Sequence, residues 1–193
     1  KNSNIWSGYV SDFNESDTKG KISIKAMTNI IKPLLAFWNA FRDDPKNNNP
    51  TLDAKDMALK TFDAYWNGLA LWEPKLFDAN TREKFNIMNA SITEVMTGVL
   101  INILRETESW KTLGTSIGDL KNPKTYTSLV SKAFNGLTLS NKEGHNVHGS
   151  NCWRVGKAGH MGLVTNQGAK RDMTSLLFKE IKTQLKIKNP SII

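Results

Sequence analysis

The sequence predicts an all-α fold: a single helical domain of about five helices, with an N-terminal arm and a long loop before the last helix. Apolar residues recur with the period of a helix in five segments, and Pro, Gly or Asn interrupts the chain between them. No segment alternates convincingly between apolar and polar residues, as a half-buried strand does. With 193 residues, of which 39% are hydrophobic, the chain is long enough to bury one core.

The first two predicted helices each have one broad apolar face. The first covers residues 27–41, includes Pro33 and ends in the breaker RDDPKNNNP at residues 42–50. The second begins near Thr51, the expected N-cap, and ends before Pro74. We expect its aromatic-rich face to belong to the core rather than to a base-stacking platform; its members are Met57, Phe62, Tyr65, Trp66, Leu69 and Trp72.

The third predicted helix is the longest and covers residues 81–105. Its centre, TGVLINIL at residues 97–104, is apolar on most sides, so we expect it to be the buried axis of the domain. A fourth, shorter helix begins at Pro123, whose fixed φ suits a first helical turn. Gly136 stops that helix.

The last predicted helix covers residues 172–186, with Asp172 or Thr174 as its N-cap. Its basic side chains lie on one flank and its apolar residues face inward. Residues 137–140 and 161–165 are expected to form a small hairpin under the loop that precedes this helix.

The helical core is expected to cover residues 21–188, between an arm at residues 1–20 and a tail at residues 189–193. Apolar and aromatic residues in the arm lie among Ser, Asn, Asp and Gly, and such exposed groups usually indicate an interface. We therefore predict that both ends of the chain contact neighbouring subunits, through Trp6, Tyr9, Ile192 and Ile193.

The loop at residues 142–171 is the most unusual part of the chain. It contains all three histidines, the only cysteine and several glycines and basic residues. Its pattern fits neither a helix nor a strand, and long glycine-rich loops inside a domain are often functional. We therefore expect the functional site here.

The charge of the chain favours an anionic partner. The formal net charge is +8, and residues 142–188 contain nine Lys or Arg but only three acids. Phosphates bind to cations and backbone N–H groups, and bases stack on aromatic rings. The predicted nucleic-acid contacts are Trp153, Arg154, Lys157, Asn166, Lys170, Arg171 and Lys182.

Two other chemistries use the same loop. Its His and Cys residues are zinc-ligand types, but their spacings of three, four and eight match no paired zinc motif: His145, His148, Cys152 and His160. A thiol nucleophile would need a histidine to lower its pKa, and each histidine lies within eight residues of the cysteine.

Several functional classes lack support in the sequence. No apolar run approaches the length of a membrane-spanning helix, so no span is expected. A single cysteine excludes an internal disulfide framework. No cofactor and no metal ion are expected, and no pair of carboxylates has the spacing of an acid–base pair on one helix face.

Residues 162–178, GLVTNQGAKRDMTSLLF, resemble a stretch of the coat proteins of flexible filamentous plant viruses of the potyvirus type. In that family a Gly-Leu loop runs into Arg-Asp and then into an apolar helix with Phe. WNGLALW, at residues 66–72, is similar to another helix of the family. The resemblance implies a helical protein that binds one RNA strand in a basic groove. The chain departs from the pattern at Lys179, where the family has an acid.

These observations lead to one main hypothesis and two alternatives. The chain is expected to be a non-enzymatic, self-assembling nucleoprotein or coat protein that packages a nucleic acid, preferably single-stranded RNA, through a basic loop and groove. Its expected location is a virion or the cytoplasm, with secretion left open. The first alternative is a secreted or host-directed helical module that binds a protein or a glycan. The second is a small Cys–His enzyme.

Overall fold

The computed structural model of the chain contains five α-helices within the residues it describes, which are 5–6, 10–11, 22–46, 50–78, 80–106 and 116–184. These helices are α1 (Ile24–Asp43), α2 (Ala54–Trp72), α3 (Ala90–Arg105), α4 (Pro123–Asn135) and α5 (Gln167–Gln184). The strands are short: β1 (Val10–Ser11) pairs in parallel with β2 (Ile22–Ser23), and β3 (Thr138–Ser140) pairs antiparallel with β4 (Asn146–His148). The predicted all-α class is confirmed.

Helix α3 is the buried axis of the domain, as predicted. Ten of its sixteen residues are buried, and it packs against α1 and α5. It begins at Ala90 rather than at residue 81, because the side chain of Asn89 accepts a hydrogen bond from the Ser91 backbone N–H (3.0 Å) and so caps the helix there. Residues 82–84 form a separate 3₁₀ turn.

The starts of two other helices also differ from the predictions. Helix α2 is capped by Asp53 rather than Thr51, since the Asp53 carboxylate accepts hydrogen bonds from the backbone N–H groups of Lys55 and Asp56. A carboxylate there also interacts favourably with the positive end of the helix dipole. Helix α1 begins at Ile24, with Ser23 as its cap.

Helix α5 begins five residues before its predicted start. The side-chain oxygen of Asn166 accepts a hydrogen bond from the Ala169 backbone N–H (2.9 Å), so Asn166 caps the helix. The two predicted caps, Asp172 and Thr174, lie inside it, and the Thr174 hydroxyl donates back to the Lys170 carbonyl (2.8 Å). The earlier start places the basic pair Lys170–Arg171 in the first helical turns.

The predicted hairpin has the wrong partner strand. Strand β3 pairs with β4, in a register that places Leu139 opposite Val147. The predicted partner, residues 161–165, includes a 3₁₀ turn at Met161–Leu163 instead. Residues 141–145 are sufficient to reverse the chain, since the Asn141 side chain accepts from two backbone N–H groups and Gly144 has a φ of 81°.

The aromatic face of α2 is core, as predicted. Phe62, Tyr65, Trp66 and Leu69 are all buried. Trp6 packs on this face of its own chain: its ring stacks on Phe62 with centroids 5.3 Å apart and meets Trp66 edge-on. The prediction that Trp6 docks on a neighbouring subunit is therefore replaced by packing within the chain, because the α2 aromatics offer it an apolar surface. The other predicted subunit contacts, Tyr9, Ile192 and Ile193, lie outside the described residues.

Helices α2 and α4 approach most closely at Gly68. A Cβ atom there would lie 2.7 Å from the Pro123 carbonyl oxygen and 2.8 Å from the Tyr126 Cβ. The Thr127 hydroxyl donates a hydrogen bond to the Gly68 carbonyl (3.0 Å) across the same contact. Because backbone atoms occupy this space, only glycine fits without moving a helix.

We expect Gly68→Ala to lower the free energy of unfolding by about 1–3 kcal/mol, because overpacking outweighs the gain of about 1 kcal/mol in helix propensity. Urea denaturation measures this difference. Gly136→Ala is the matched control, since a Cβ there would meet nothing closer than 3.9 Å. Equal stability of the two variants would contradict the close contact between α2 and α4.

Candidate nucleic-acid interface

A groove of about 1020 Å³ lies between α1, α3 and α5. We call it the cationic groove. Helix α1 forms one wall, α5 the other, and α3 lies between them. Eleven of its eighteen lining residues are polar or charged, and the other seven are apolar residues or glycine. The residues that matter for its chemistry are Asn29, Ser91, Glu94, Thr97, Gly98, Asn102, Arg105, Gln167, Lys170, Arg171, Thr174 and Ser175.

Helices α3 and α5 run side by side in the same direction along this groove. Three contacts in the same order establish this: Glu94 meets Lys170 near the helix starts, Gly98 meets Thr174, and Glu106 meets Lys182 near the helix ends. The partners are 76 residues apart in every case, so the register is constant. A Cβ on Gly98 would lie 3.0 Å from Thr174 Cγ2, so the missing side chain allows the close approach.

The cationic groove has three cations and one acid among its lining residues. Lys170 Nζ lies 2.6 Å from Glu94 Oε2, and the Lys170 side chain is only 15% exposed. Arg105 and Arg171 are exposed and form no ion pair within the part of the chain that the structure describes. Two guanidinium groups are therefore available to an anionic ligand.

The cations are spread along the groove. Arg105 lies eleven residues beyond Glu94 on α3, which is about 16 Å along the helix axis. Lys170 and Arg171 lie near the opposite end, since Lys170 pairs with Glu94. Between these ends, Asn29 and Asn102 contribute amide groups that can donate and accept hydrogen bonds. The arrangement suits an elongated polyanion better than a single phosphate.

The structure places the seven predicted contact residues in different surroundings. Lys170 and Arg171 line the cationic groove, and Asn166 caps α5 just before the lining residue Gln167. Arg154 and Lys157 are exposed on the preceding loop, away from the groove lining. The two remaining residues, Lys182 and Trp153, have contacts that the sequence did not predict.

The Lys182 side chain is held by contacts with residues of α5 and of the end of α3. Its Nζ lies 3.4 Å from Glu106 Oε2 and 5.7 Å from the centre of the Phe178 ring, and its side chain is 18% exposed. These contacts neutralise its charge and shield it from solvent. Lys182 is therefore a poorer phosphate ligand than its position in a basic helix predicts.

Trp153 is fully buried, so the prediction that it stacks on a base is wrong. Its ring lies 5.7 Å from that of Trp72 and 5.4 Å from that of Phe134, measured between centroids. An indole beside two aromatic rings gains more from burial than from exposure in a loop. Trp153 therefore anchors the loop to the core instead of reaching a ligand.

Backbone hydrogen bonds also hold the loop at Trp153 and at Val155. The Asn86 N–H donates to the Trp153 carbonyl (2.9 Å), and the Val155 N–H donates to the Lys84 carbonyl (3.0 Å). Gly159 has no room for a side chain, since a Cβ there would lie 2.1 Å from the Arg154 carbonyl oxygen. The loop backbone is therefore held in a fixed path, which gives Arg154 and Lys157 defined positions.

The histidines and the cysteine do not form a metal site. No group of three or more His, Cys, Asp or Glu side chains in the described residues is arranged to hold a metal ion. His148 Nδ1 is hydrogen-bonded to the Thr138 hydroxyl (2.9 Å), and His160 Nδ1 is hydrogen-bonded to the Ser140 carbonyl. These two rings support the β3–β4 hairpin and the loop, while His145 is largely exposed.

The environment of Cys152 disfavours thiolate chemistry. The residue is buried, and its thiol donates a weak hydrogen bond to the Val147 carbonyl (3.5 Å). Burial raises the pKa of the Cys152 thiol to about 11, because the apolar surroundings penalise the charged form. An activated nucleophile needs the opposite shift.

The sequence predictions did not include the residues of α1 and α3 that line the cationic groove. Arg105, Asn29 and Asn102 lie on helices α1 and α3, which were interpreted only as core elements. The available signal was a polar residue on an otherwise apolar helix, as at Asn102 in the run VLINIL. Which of these polar residues share a groove depends on how the helices pack, and helical periodicity alone does not determine that.

A second, smaller groove of about 410 Å³ lies between α1 and α2, and we call it the apolar groove. Ile24 is 37% exposed and Leu59 is 49% exposed, which is unusual for large aliphatic side chains. Lys32 and Lys55 contribute the charged lining. The remaining lining residues are Val10, Met27, Thr28, Ile31, Leu35 and Ala58.

Comparison of the chain with protein-family models, curated proteins and solved structures finds no match. The helices in the described part of the chain are each too short or too polar to cross a membrane.

We expect iodoacetamide to alkylate Cys152 in the folded protein about a hundredfold more slowly at neutral pH than in the unfolded chain. A pKa raised from 9.0 to about 11 lowers the thiolate fraction by that factor, and burial slows access further. Mass spectrometry of timed samples, with and without urea, measures both rates. Fast alkylation of the folded protein would favour the Cys–His enzyme instead.

Proposed function

We propose that this protein is a structural nucleic-acid-binding protein of nucleoprotein or coat type, which packages a single strand, preferably RNA, in the cationic groove. The observation that supports it most is the presence along a single groove of one lysine and two guanidinium groups that have no ion-pair partner among the described residues. Phosphates are bound by such cations regardless of base sequence, as packaging requires.

The groove also supplies the uncharged partners that a nucleotide strand needs. Amides at Asn29, Asn102 and Gln167 can bind sugars, phosphates or base edges. Ser91 contributes a small hydroxyl side chain to the α3 surface of the groove, which can also bind a phosphate. Arg154 and Lys157 add two exposed cations on the loop, apart from the groove, although Lys157 Nζ lies 3.5 Å from Glu143 Oε1.

Self-association is part of the proposal, since packaging requires many copies along one strand. The apolar groove offers a contact surface for it, because seven of its ten lining residues are apolar and Leu59 is 49% exposed there. The resemblance of residues 162–178 to filamentous-virus coat proteins agrees with this assignment, because its Arg-Asp pair falls where Arg171 lines the cationic groove. On this proposal the protein is non-enzymatic and is located in a virion or the cytoplasm.

Replacing Lys170 and Arg171 together by Gln should weaken RNA binding about tenfold or more, and about equally for different sequences. The plot of log affinity against log salt should flatten by about 0.7 per lost phosphate contact. Fluorescence anisotropy with labelled homopolymer RNAs at several salt concentrations measures both effects.

The matched control is Lys124→Gln with Lys132→Gln. It removes the same charge from exposed positions of α4, outside the cationic groove. If the two double variants bind equally weakly, net charge alone explains the binding and the groove is not the site. A loss confined to one base sequence would also contradict the proposal.

Leu59→Glu should lower the mass of the particles that the protein forms, because a carboxylate in the apolar groove opposes its burial between copies. Light scattering measures this mass against the 21.6 kDa of one chain. Leu71→Glu is the control, since Leu71 is 57% exposed on the same helix but does not line the groove. Equal masses for both variants and the wild type would exclude the groove from assembly.

The apolar groove also favours a second candidate function, a helical module that binds a foreign protein. Exposed aliphatic residues beside Lys32 and Lys55 suit an apolar partner segment with acidic flanks. The ratio of absorbance at 260 and 280 nm in purified protein distinguishes the two functions. A high, nuclease-sensitive ratio with a large mass supports packaging, whereas a low ratio and a mass of one chain favour the module.

A further inference from the structure

Among the described residues, the one acid that lines the cationic groove is already paired with one of its cations. Glu94 Oε2 lies 2.6 Å from Lys170 Nζ, and the carboxylate is 42% exposed. Glu94 directly follows the first turn of α3, and Lys170 lies in the first turn of α5. The constant register of the two helices holds the pair together.

This pair has the chemistry of a phosphate contact. An ammonium with an anionic oxygen at 2.6 Å is the geometry that a bound phosphate oxygen would adopt. The Lys170 side chain is 15% exposed, so its charge has few other partners. A phosphodiester that enters the groove must either displace the Glu94 carboxylate from Lys170 or bind beside an uncompensated negative charge.

We propose that Glu94 is an internal competitor for phosphate, which keeps the cationic groove selective for long polyanions. This inference rests on the proposed function of the groove. A tethered carboxylate has a high effective concentration at Lys170, so a lone phosphate or a mononucleotide displaces it poorly. A strand that also binds Arg171 and Arg105 gains enough from those contacts to displace it.

The competitor also lowers the number of counterions that a strand releases. A strand releases condensed cations at the phosphates that protein cations neutralise, and Lys170 contributes less to this release because Glu94 already neutralises its charge. Removing the Glu94 charge should therefore change both the affinity and its salt dependence. A purely structural role for Glu94 would change the stability of the protein and leave the salt dependence unaltered.

The test is Glu94→Gln, with a labelled oligouridylate as the probe. We expect RNA affinity to rise about five- to tenfold, because the variant loses both the ion pair that binding must break and the repulsion of phosphate. The plot of log affinity against log salt should steepen by about 0.7, the value for one additional phosphate contact on a single strand. Uridine monophosphate should compete measurably with RNA for the variant and not for the wild type.

Two further sets of variants locate the effect. Asp56→Asn removes the same charge from an ion pair on α2, where Asp56 Oδ1 lies 2.9 Å from Lys60 Nζ outside the cationic groove, and it should leave affinity nearly unchanged. In a double-mutant cycle, Lys170→Gln should weaken binding more in the Glu94→Gln background than in the wild type, since only without the competing carboxylate is Lys170 free to bind phosphate.

The outcomes separate this inference from the function on which it rests. If neither the wild type nor Glu94→Gln binds RNA, both the proposed function and the competitor role fail. If the wild type binds and Glu94→Gln binds equally or less tightly, only the competitor role is overturned. Equal gains for Glu94→Gln and Asp56→Asn would also overturn it, since net charge would then account for the effect.

Discussion

The close parallel contact between α3 and α5 is the constraint on which the rest of the structure depends. Gly98 allows the two helices to approach, and Thr174 fills the space that a side chain would occupy. The same register brings Glu94 to Lys170 and Glu106 to Lys182. A slip of one residue would rotate each side chain by about 100° around its helix and separate both pairs. The register of α3 and α5 therefore determines both the α5 wall of the cationic groove and the pairing of Lys170 with Glu94.

The buried aromatic residues and the exposed polar residues have different roles. Trp38, Trp66 and Trp153 are completely buried, so they stabilise the core and the loop but present no surface to a ligand. The groups that are available to a ligand are instead polar residues on the exposed sides of helices that are otherwise apolar. This division explains why, in a chain with six tryptophans, the proposed interface consists of cations and amides.

The loop between β3 and α5 is distinctive in sequence, yet its special residues mostly serve its own structure. Trp153 anchors it, Gly159 allows the backbone to fold on itself, and two histidines hydrogen-bond to the β3–β4 hairpin or its edge. Arg154 and Lys157 remain exposed on this rigid support. An unusual composition can therefore reflect a demanding backbone path as much as a catalytic or metal-binding site.

The sequence by itself determined the all-α class, the approximate positions of five helices and the buried axis at α3, because helical periodicity and local capping are encoded within each segment. It also identified Lys170 and Arg171, which line the cationic groove. Only the tertiary structure decided that Arg105, Asn29 and Asn102 share this groove and that Glu94 neutralises Lys170, since these residues come from distant segments. It also decided against Trp153 as a stacking surface, because burial depends on which partners the fold supplies. Local patterns report the face on which a residue lies, whereas the packing of the helices determines what that face meets.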